Sequence, residues 1–251
     1  MSEPTALVLA AGKGTRMRSE LPKPLVPVGG QPIVLRLLDS LQAAGVTDTV
    51  LVVGHGADQV RAAVGARARY AEQPEPQGMA HAVACARAAL GDADEIYVFV
   101  GDSPLLKPAS IQALRDHHRA TGAAVTFLTA EFPAPLPYAR VIWGAGGRVA
   151  RCVEARDASP SELAERWLLS SHYLFRAKDL WDHLDGILPH PRTGERYLTD
   201  ILDAMLFADL RIEAAVIADW RELVGPNTPD ELAWAEAVLR GEDPPLPEST
   251  P

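Results

Sequence analysis

The amino-acid sequence predicts an α/β fold, in which a doubly wound, mostly parallel, Rossmann-like sheet carries a smaller mixed β insertion. In the first half of the chain, short apolar runs alternate with segments of helical periodicity. In the second half, strand-like runs follow one another more closely before helical segments return. Strands that alternate with helices form a parallel sheet with helices on both faces. Ligands of such sheets bind beyond the carboxyl ends of the strands, so functional residues are expected directly after strands.

The predicted elements follow this alternation in order. In the first half, the predicted strands are residues 6–10, 49–53 and 96–100, and the predicted helices are residues 33–44, 57–64 and 79–90. In the second half, the predicted strands are residues 141–143, 148–153, 168–175 and 212–218, and the predicted helices are residues 178–187 and 197–208. Pro32 suits the first turn of the first helix, where its missing N–H costs nothing. Thr228, Pro229 and Glu231 have the spacing of a capping box at the start of a further helix.

The composition is typical of a globular domain. The chain has 251 residues, of which 47% are hydrophobic and 23% are charged. Because α/β domains often form single units of ~200–250 residues, residues 1–240 are predicted to form one domain, although a division into two stays open. Residues 241–251 are rich in proline and acidic side chains, which predicts a disordered C-terminal tail.

Charge and cysteine content exclude several classes of function. The formal net charge of −9 argues against a nucleic-acid partner, because such proteins carry a basic surface. Cys85 and Cys152 lack CxxC spacing and clustered histidines, which disfavours zinc and a disulfide framework. No apolar stretch approaches the ~20 residues needed to cross a bilayer, so no membrane partner is expected and the sequence predicts a cytoplasmic location. Nothing in the sequence predicts the oligomeric state.

The segment LVLAAGKGTRM at residues 7–17 carries the strongest chemical signal. A buried strand ends there in a loop that contains Gly12, Lys13, Gly14 and Arg16. Glycine allows backbone N–H groups to approach an anion, and the cations add charge complementarity, as a triphosphate requires. The order of residues fits neither a P-loop nor the dinucleotide-binding fingerprint. The alternative interpretation is a surface turn with solvated charges.

Two further positions suit phosphate and metal chemistry. Lys23 lies between Pro22 and Pro24, which keep its segment out of a helix, so that its ammonium can meet a phosphate as a point charge. Gly101 and Asp102 follow an apolar strand, where a carboxylate can reach a magnesium ion that also holds substrate phosphates. Each position has a structural alternative: Lys23 as a solvated loop residue, and Asp102 as a turn or cap residue.

The sequence AAGKGTRM at residues 10–17, followed by Leu21, Pro22 and Lys23, resembles the signature of sugar-phosphate nucleotidyltransferases. Within that family the chain is most similar to the uridylyltransferase domain of bifunctional N-acetylglucosamine-1-phosphate uridylyltransferases, over about residues 5–240. The later landmarks of the resemblance are residues 75–82, 101–102, 153–154, 194–200 and 225–228. The resemblance implies a nucleotide-diphospho-sugar transferase fold, Mg²⁺ as cofactor, and a nucleoside triphosphate and a sugar 1-phosphate as partners.

The same resemblance implies a role for each matching residue. The implied catalytic residues are Arg16, Lys23 and Asp102, and the implied magnesium ligands are Asp102 and Asn227. The implied nucleotide-binding residues are Leu9, Ala10, Ala11, Gly12, Lys13, Gly14, Thr15, Gln73, Gly78, Met79 and Gly101. The implied sugar-binding residues are Ala139, Glu154 and Ser170. His81, close to the positions that would recognise the base, is interpreted as structural packing.

The chain departs from the family pattern around the sugar and ribose. Met79 stands where threonine or serine is usual, Ala139 replaces a glycine, and residues 168–173 lack the usual asparagine and glycine. The expected reaction joins UTP to N-acetylglucosamine 1-phosphate or a similar sugar 1-phosphate and releases pyrophosphate. Three alternatives stay open: glucose 1-phosphate with UTP or dTTP, phosphocholine with CTP, and a non-catalytic regulatory protein that binds nucleotide sugars.

Overall fold

The computed structural model describes residues 3–247 of the chain. The strands are β1 (Thr5–Leu9), β2 (Pro27–Val28), β3 (Gln31–Pro32), β4 (Thr49–Val53), β5 (Arg69–Glu72), β6 (Glu95–Val100), β7 (Val125–Glu131), β8 (Ala139–Trp143), β9 (Val149–Val153), β10 (Trp167–Arg176) and β11 (Ile212–Val216). The α-helices are α1 (Ile33–Ala43), α2 (Ala57–Val64), α3 (Met79–Cys85), α4 (Arg87–Leu90), α5 (Pro108–Thr121), α6 (Pro160–Leu163), α7 (Ala177–Leu184), α8 (Asp200–Phe207) and α9 (Pro229–Leu239). Short 3₁₀ turns lie at Thr15–Met17, Lys23–Leu25, Gly65–Arg67, Ala145–Gly147 and Trp220–Leu223.

The central sheet has the strand order β11-β7-β10-β6-β1-β4-β5 within residues 3–247, and β8 and β9 extend from β10. Strands β6, β1, β4 and β5 pair in parallel, as do β7 and β11. Strand β10 runs antiparallel to β6 and β7, and β8 runs antiparallel to β10 and β9. Strands β2 and β3 form a small separate sheet. The predicted α/β class, with a mostly parallel sheet and a smaller β insertion, is confirmed.

Helices cover both faces of the central sheet. In β1, Ala6 and Val8 belong to a buried cluster with residues of α1, α2, α5 and α9, whereas Leu7 belongs to a cluster with residues of α3, α4, α7 and α8. A parallel sheet buried on both faces consists of nearly continuous apolar strands, which is why β1, β4 and β6 stand out in the sequence. Since β1 lies between β4 and β6, the loop after β1 begins at the centre of the sheet.

Some element boundaries differ from the predicted ones. The predicted helix at residues 79–90 is divided into α3 and α4 at Ala86, whose N–H bonds the carbonyl oxygen of Val83 at 3.1 Å and so tightens the turn. Helix α1 begins at Ile33, and Pro32 precedes it instead of occupying its first turn, because Pro32 has an extended ψ of 137° and pairs in β3. Strands β5 and β7 and helix α5 are among the elements that were not predicted from the sequence; β5 carries charged residues at both ends and lacks a continuous apolar run.

The described part of the C-terminal segment contacts the domain. Residues 241–247 form no helix or strand, yet the indole N–H of Trp234 donates to the carbonyl oxygen of Pro244 at 3.2 Å, and Arg221 pairs with Asp243 at 2.9 Å. Residues 248–251 lie outside the described residues, so the disordered tail and the single domain stay predictions. Within residues 3–247, no helix is long and apolar enough to cross a membrane.

Candidate active site

The loop after β1 depends on glycine at one position. Gly14 has a φ of 63°, in the left-handed region, and precedes the 3₁₀ turn Thr15–Met17. A β-carbon on Gly14 would lie 2.5 Å from the Cβ of Lys23, so glycine lets the loop approach the segment of Lys23 closely. Lys13 and Arg16 of the same loop are exposed. The loop therefore brings cations and backbone N–H groups to the carboxyl end of β1.

Gly101 places Asp102 beside this loop. The N–H of Gly101 donates to the carbonyl oxygen of Leu9 at 2.8 Å, which joins the ends of the neighbouring strands β1 and β6. A β-carbon on Gly101 would lie 2.9 Å from that same oxygen, so a larger residue would push the two strand ends apart. Asp102 follows directly and lies beyond both strand ends, where the sheet topology predicts functional groups.

Lys23, Asp102 and Asn227 meet at one point. The Lys23 ammonium donates to the Asp102 carboxylate and, at 2.7 Å, to the Asn227 amide oxygen. Lys23 and Asn227 are 204 residues apart in the sequence. The side chains of Lys23 and Asp102 are 12% and 28% exposed, so the ion pair is reachable from solvent but partly shielded from it, which strengthens its electrostatic effect on a ligand.

The start of α9 holds Asn227 in place. The Asn227 side-chain N–H donates to the carbonyl oxygen of Gly225 at 2.8 Å, which turns its amide oxygen toward Lys23. The Asn227 backbone N–H donates to the Glu231 carboxylate at 2.6 Å, and the Thr228 hydroxyl accepts the Glu231 N–H at 3.2 Å. The carboxylate of the predicted capping box thus reaches the residue before the N-cap, and this contact anchors the predicted metal ligand.

The oxygens of Asp102 and Asn227 fit a magnesium ion. Carboxylate and amide oxygens are suitable Mg²⁺ ligands, and water and phosphate oxygens complete the coordination in such sites. Both oxygens contact one cation, the Lys23 ammonium, so they converge on a position that favours positive charge. No group of three or more His, Cys, Asp or Glu within residues 3–247 could hold a metal; the predicted pair contains only one such side chain.

On one side of Asp102, Gln73 and Gly78 border a cavity of about 390 Å³. The side-chain nitrogen of Gln73 donates to the carbonyl oxygen of Gly78 and contacts Nδ1 of His81, both at 3.1 Å. Gly78 has a φ of 94°, and a β-carbon there would lie 2.5 Å from the carbonyl oxygen of Arg196, so glycine is required. His81, interpreted from the sequence as packing, therefore contacts the glutamine that is predicted to recognise the base.

On the other side of Asp102 lies a second cavity of about 350 Å³. Its lining includes the predicted sugar-binding residues Ala139, Glu154 and Ser170. The Glu154 carboxylate accepts the hydroxyl of Thr199 at 2.5 Å, which fixes its orientation. The residues common to the linings of both cavities are Met79, Val100, Asp102, Glu154 and Arg156. The two cavities are therefore halves of one cleft, which we call the base side and the acceptor side.

The sequence matches the family of MobA-like NTP transferase domains over residues 6–202. This range covers more than half of the chain and includes the loop after β1, Lys23 and Asp102. The chain belongs to this family. The predicted resemblance to nucleotidyltransferases is thereby confirmed, and the cleft is the candidate active site of an NTP transferase domain.

Individual relatives of this NTP transferase domain are similar along nearly all of its length. The chain is 41% identical over 241 residues to the bifunctional protein GlmU of Heliobacterium modesticaldum. This alignment covers 96% of this chain and 53% of that relative. It is 42% identical over 236 residues to the bifunctional protein GlmU of Pelotomaculum thermopropionicum, in an alignment that covers 94% of this chain and 52% of that relative. The chain thus spans about half the length of the curated relatives it matches.

A solved structure shares the fold. A crystal structure from Bacillus anthracis, assigned as a glucose-1-phosphate thymidylyltransferase in complex with sucrose, superposes with a TM-score of 0.80. The alignment covers 95% of this chain and 96% of that chain, at 20% sequence identity. At this level of identity, the similarity shows that the two proteins have the same fold.

The NTP transferase cleft contains most of the predicted site residues. The base side is lined by Leu9, Ala10, Ala11, Gly12, Lys23, Gln73, Gly78, Met79, Gly101, Asp102 and Glu154. The acceptor side is lined by Arg16, Met79, Asp102, Ala139, Glu154, Ser170 and Asn227. Lys13, Gly14 and Thr15 lie in the loop beside the cleft and are absent from both of these linings. These three residues therefore lie close to the cleft, and their individual roles stay predictions.

The cleft is also lined by polar residues that were not predicted from the sequence, among them Tyr138, Ser103 and Arg156. Tyr138 lines the acceptor side, and its hydroxyl accepts the N–H of Gly225 at 3.1 Å. Burial of this hydroxyl raises the pKa of Tyr138 above its ordinary value, so the phenol stays protonated. Ser103 lines the acceptor side and Arg156 lines both sides. Tyr138 and Ser103 are each adjacent in sequence to a predicted site residue, which is a usable signal, whereas nothing in the sequence distinguishes Arg156 from a solvated arginine.

Proposed function

We propose that this domain transfers a nucleotidyl group from a nucleoside triphosphate to a sugar 1-phosphate and releases pyrophosphate, with magnesium as cofactor. The observation that carries the proposal is the convergence of Lys23, Asp102 and Asn227 between the two halves of the cleft. Gly12 borders the base side, and Glu154 borders both sides. A reaction that joins two phosphate-bearing substrates needs this arrangement, because both phosphates must meet at one positively charged position.

The charges of the substrates determine the mechanism that we infer. The second pKa of a phosphate monoester is ~6, so the attacking oxygen is ionised near neutral pH and needs no general base. That oxygen forms a bond to the α-phosphorus while the bond from the α-phosphorus to the bridging oxygen breaks, and pyrophosphate leaves with the electron pair. Arg16 and Lys23 supply positive charge beside the phosphates, and loop N–H groups orient them. Magnesium held by Asp102 and Asn227 would neutralise further phosphate charge.

The hydrogen bonds of Gln73 support uracil or thymine as the base. Its side-chain nitrogen faces the carbonyl oxygen of Gly78 and the ring nitrogen of His81, so its carbonyl oxygen is the group that can accept a hydrogen bond from a base. Uracil and thymine carry a hydrogen on ring nitrogen N3, whereas the same nitrogen of cytosine is an acceptor. UTP and dTTP are therefore favoured over CTP, and the family resemblance places UTP first.

The polar groups of the acceptor side support a sugar. Glu154 offers a carboxylate, and Ser103 and Ser170 offer hydroxyls, which suit the hydroxyl groups of a sugar ring. A quaternary ammonium such as that of phosphocholine binds to aromatic faces, and Tyr138 is the one aromatic residue among the described residues that line this side. We therefore take N-acetylglucosamine 1-phosphate as the first acceptor. Glucose 1-phosphate is the second candidate. It lacks the N-acetyl group, which the methyl group of Ala139 would crowd.

A panel of substrates tests the proposal. Pyrophosphate release would be measured with Mg²⁺ for UTP, dTTP, CTP, ATP and GTP, each combined with N-acetylglucosamine 1-phosphate, glucose 1-phosphate and phosphocholine. We expect one pair to dominate and its signal to be lost in Asp102→Ala, while Asp185→Ala, at an exposed aspartate outside the cleft, leaves it unchanged. If no pair reacts although calorimetry shows nucleotide binding, the enzyme assignment is wrong, and a non-catalytic regulatory protein takes its place.

A further inference from the structure

The wall of the acceptor side contains an irregular stretch of β10. The pairing of β10 with β7 shifts its register between Leu169 and Tyr173, which marks a β-bulge. Within this stretch Ser171 has a φ of 64°, a left-handed conformation that is uncommon for residues other than glycine and costs free energy. Ser170 and Ser171 both line the acceptor side. Backbone strain of this kind persists only where the surrounding contacts hold it.

His172 lies directly behind this wall and connects two of its hydroxyl groups. The imidazole is fully buried, with 0% exposure. Its Nε2 lies 2.8 Å from the Ser103 hydroxyl, and its Nδ1 lies 3.0 Å from the Ser170 hydroxyl. The ring packs against Phe99, with 5.3 Å between ring centroids. One buried side chain of β10 thus links the residue after Asp102 to the predicted sugar-binding residue Ser170 on the same strand.

The imidazole is uncharged near neutral pH. Burial lowers the pKa of His172 to about 4, against smaller opposing effects of the Asp102 charge and of a hydrogen bond between the ring and the Ser170 backbone. A neutral imidazole has one N–H donor and one acceptor nitrogen. One serine must therefore donate to the ring, and the other must accept from it. The serine that accepts keeps its own hydrogen for a ligand, and the serine that donates keeps its lone pairs, so the ring makes the two hydroxyls chemically different.

We propose that His172 is a positioning residue for the acceptor substrate: by hydrogen bonding to Ser103 and Ser170 it fixes one donor and one acceptor hydroxyl on the acceptor-side wall, which then select a hydroxyl-bearing sugar phosphate. The inference rests on the proposed function, since it concerns the acceptor of that reaction. His172 itself does not touch the substrate, because it is fully buried and is not among the residues that line the acceptor side, whereas Ser103 and Ser170 do line it. It acts through the hydroxyl groups of the two serines.

Kinetics with His172→Phe test the inference, because phenylalanine keeps a ring of similar size and removes both hydrogen bonds. The matched control is His118→Phe, since His118 is also buried, has its Nδ1 2.9 Å from the Thr126 hydroxyl, and lies outside the cleft. For His172→Phe we expect the KM for the sugar phosphate to rise about 10-fold or more, as for the loss of hydrogen bonds to a ligand, and the KM for the nucleoside triphosphate to stay within about 2-fold. His172→Gln, which can still reach Ser103, should recover part of the loss.

Two kinetic outcomes would overturn the inference. In the first, His172→Phe keeps the acceptor KM of the wild type. In the second, both KM values rise together by the amount seen in His118→Phe, which would show that a buried histidine matters only for stability.

Imidazole NMR of the whole chain supplies a readout that does not depend on turnover. Long-range ¹H–¹⁵N spectra, with His172 assigned from its absence in His172→Phe, should show one protonated and one unprotonated ring nitrogen at neutral pH. These signals should shift on addition of UDP-N-acetylglucosamine but not of UTP alone, while those of His118 stay in place. A mixture of tautomers, or equal shifts with both ligands, contradicts the inference. A wild-type chain that shows the single tautomer yet turns over no substrate pair contradicts the proposed function instead.

Discussion

Gly225 lies against the carboxylate of Asp102, and adding one methyl group there should impair the proposed reaction while leaving the fold intact. A β-carbon on Gly225 would lie 2.9 Å from both Cγ and Oδ1 of Asp102, whereas ordinary contacts begin at 3.4 Å. The carboxyl group must therefore retreat by about 0.5 Å to restore normal van der Waals contact. Gly225 is not among the glycines with positive φ, so alanine can adopt the same backbone conformation.

The expected cost follows from this displacement. A misplacement of 1 Å in a reacting assembly can cost ~100-fold in rate, so a retreat of about 0.5 Å should lower kcat about 10-fold for Gly225→Ala. The half-saturating magnesium concentration should rise as well, because Asp102 is a proposed ligand. Stability should change by less than about 1 kcal/mol, since the group that moves is the end of a partly exposed side chain.

Pyrophosphate release over a range of Mg²⁺ concentrations, together with urea unfolding, would test this prediction. Gly186→Ala is the matched control, because the nearest atom to its added β-carbon is the carbonyl oxygen of His183 at 3.4 Å and Gly186 also lacks a positive φ. Wild-type turnover and magnesium dependence in Gly225→Ala would refute the reasoning. A loss of activity matched by an equal loss of stability would refute it too, since the effect would then be on the fold.

Three other predictions rest on separate contacts. Lys23→Ala should slow pyrophosphate release about 10²–10³-fold, because it removes a cation that we propose to lie at the reacting phosphates. Gly78→Ala should cost at least about 2 kcal/mol and lower Tm by about 4–8 °C in calorimetry, since it combines a strained φ of 94° with a β-carbon 2.5 Å from Arg196 O. Burial lowers the pKa of His118 and His172 to about 4. Between the ordinary histidine pKa and this value, each side chain is therefore protonated in the unfolded chain and neutral in the folded chain. Between about pH 6.5 and pH 4, each should lower the free energy of unfolding by about 1.4 kcal/mol per pH unit as pH falls, and His172→Phe should remove one such contribution from urea titrations.

Each of these predictions has a control and a contradicting result. Lys178→Ala, at an exposed lysine on α7, should keep full activity; near-normal turnover in Lys23→Ala would show that Lys23 is only a solvated loop residue. Gly91 has a positive φ of 58° but no neighbour within 4 Å of an added β-carbon, so Gly91→Ala should lower the free energy of unfolding by only about 1 kcal/mol. An equal loss of stability in Gly78→Ala would show that the close contact with Arg196 contributes nothing. An unchanged pH dependence of unfolding in His172→Phe would show that this histidine is not held neutral by burial.

Local patterns in the sequence account for the central part of the fold and for the glycine-containing loop after β1. Strands β1, β4 and β6 are short apolar runs because both faces of the sheet are buried, and this pattern is visible without any tertiary information. The proximity of Asp102 to the loop after β1 also follows from the sequence, since parallel strands end at the same edge of a sheet. Helices and strands with weaker periodicity, such as β5, lack such a pattern and were missed.

By itself, the sequence determined the fold class and the glycine loop, because each depends on a pattern of residues that are close together in the chain. The tertiary structure alone decided that Asn227 meets Lys23 across 204 residues. It also decided that His172 joins Ser103 to Ser170 behind the acceptor side. The link from Ser103 to Ser170 depends on the antiparallel pairing of β10 with β6, in which His172 lies opposite Phe99, and no local spacing of residues encodes this long-range pairing.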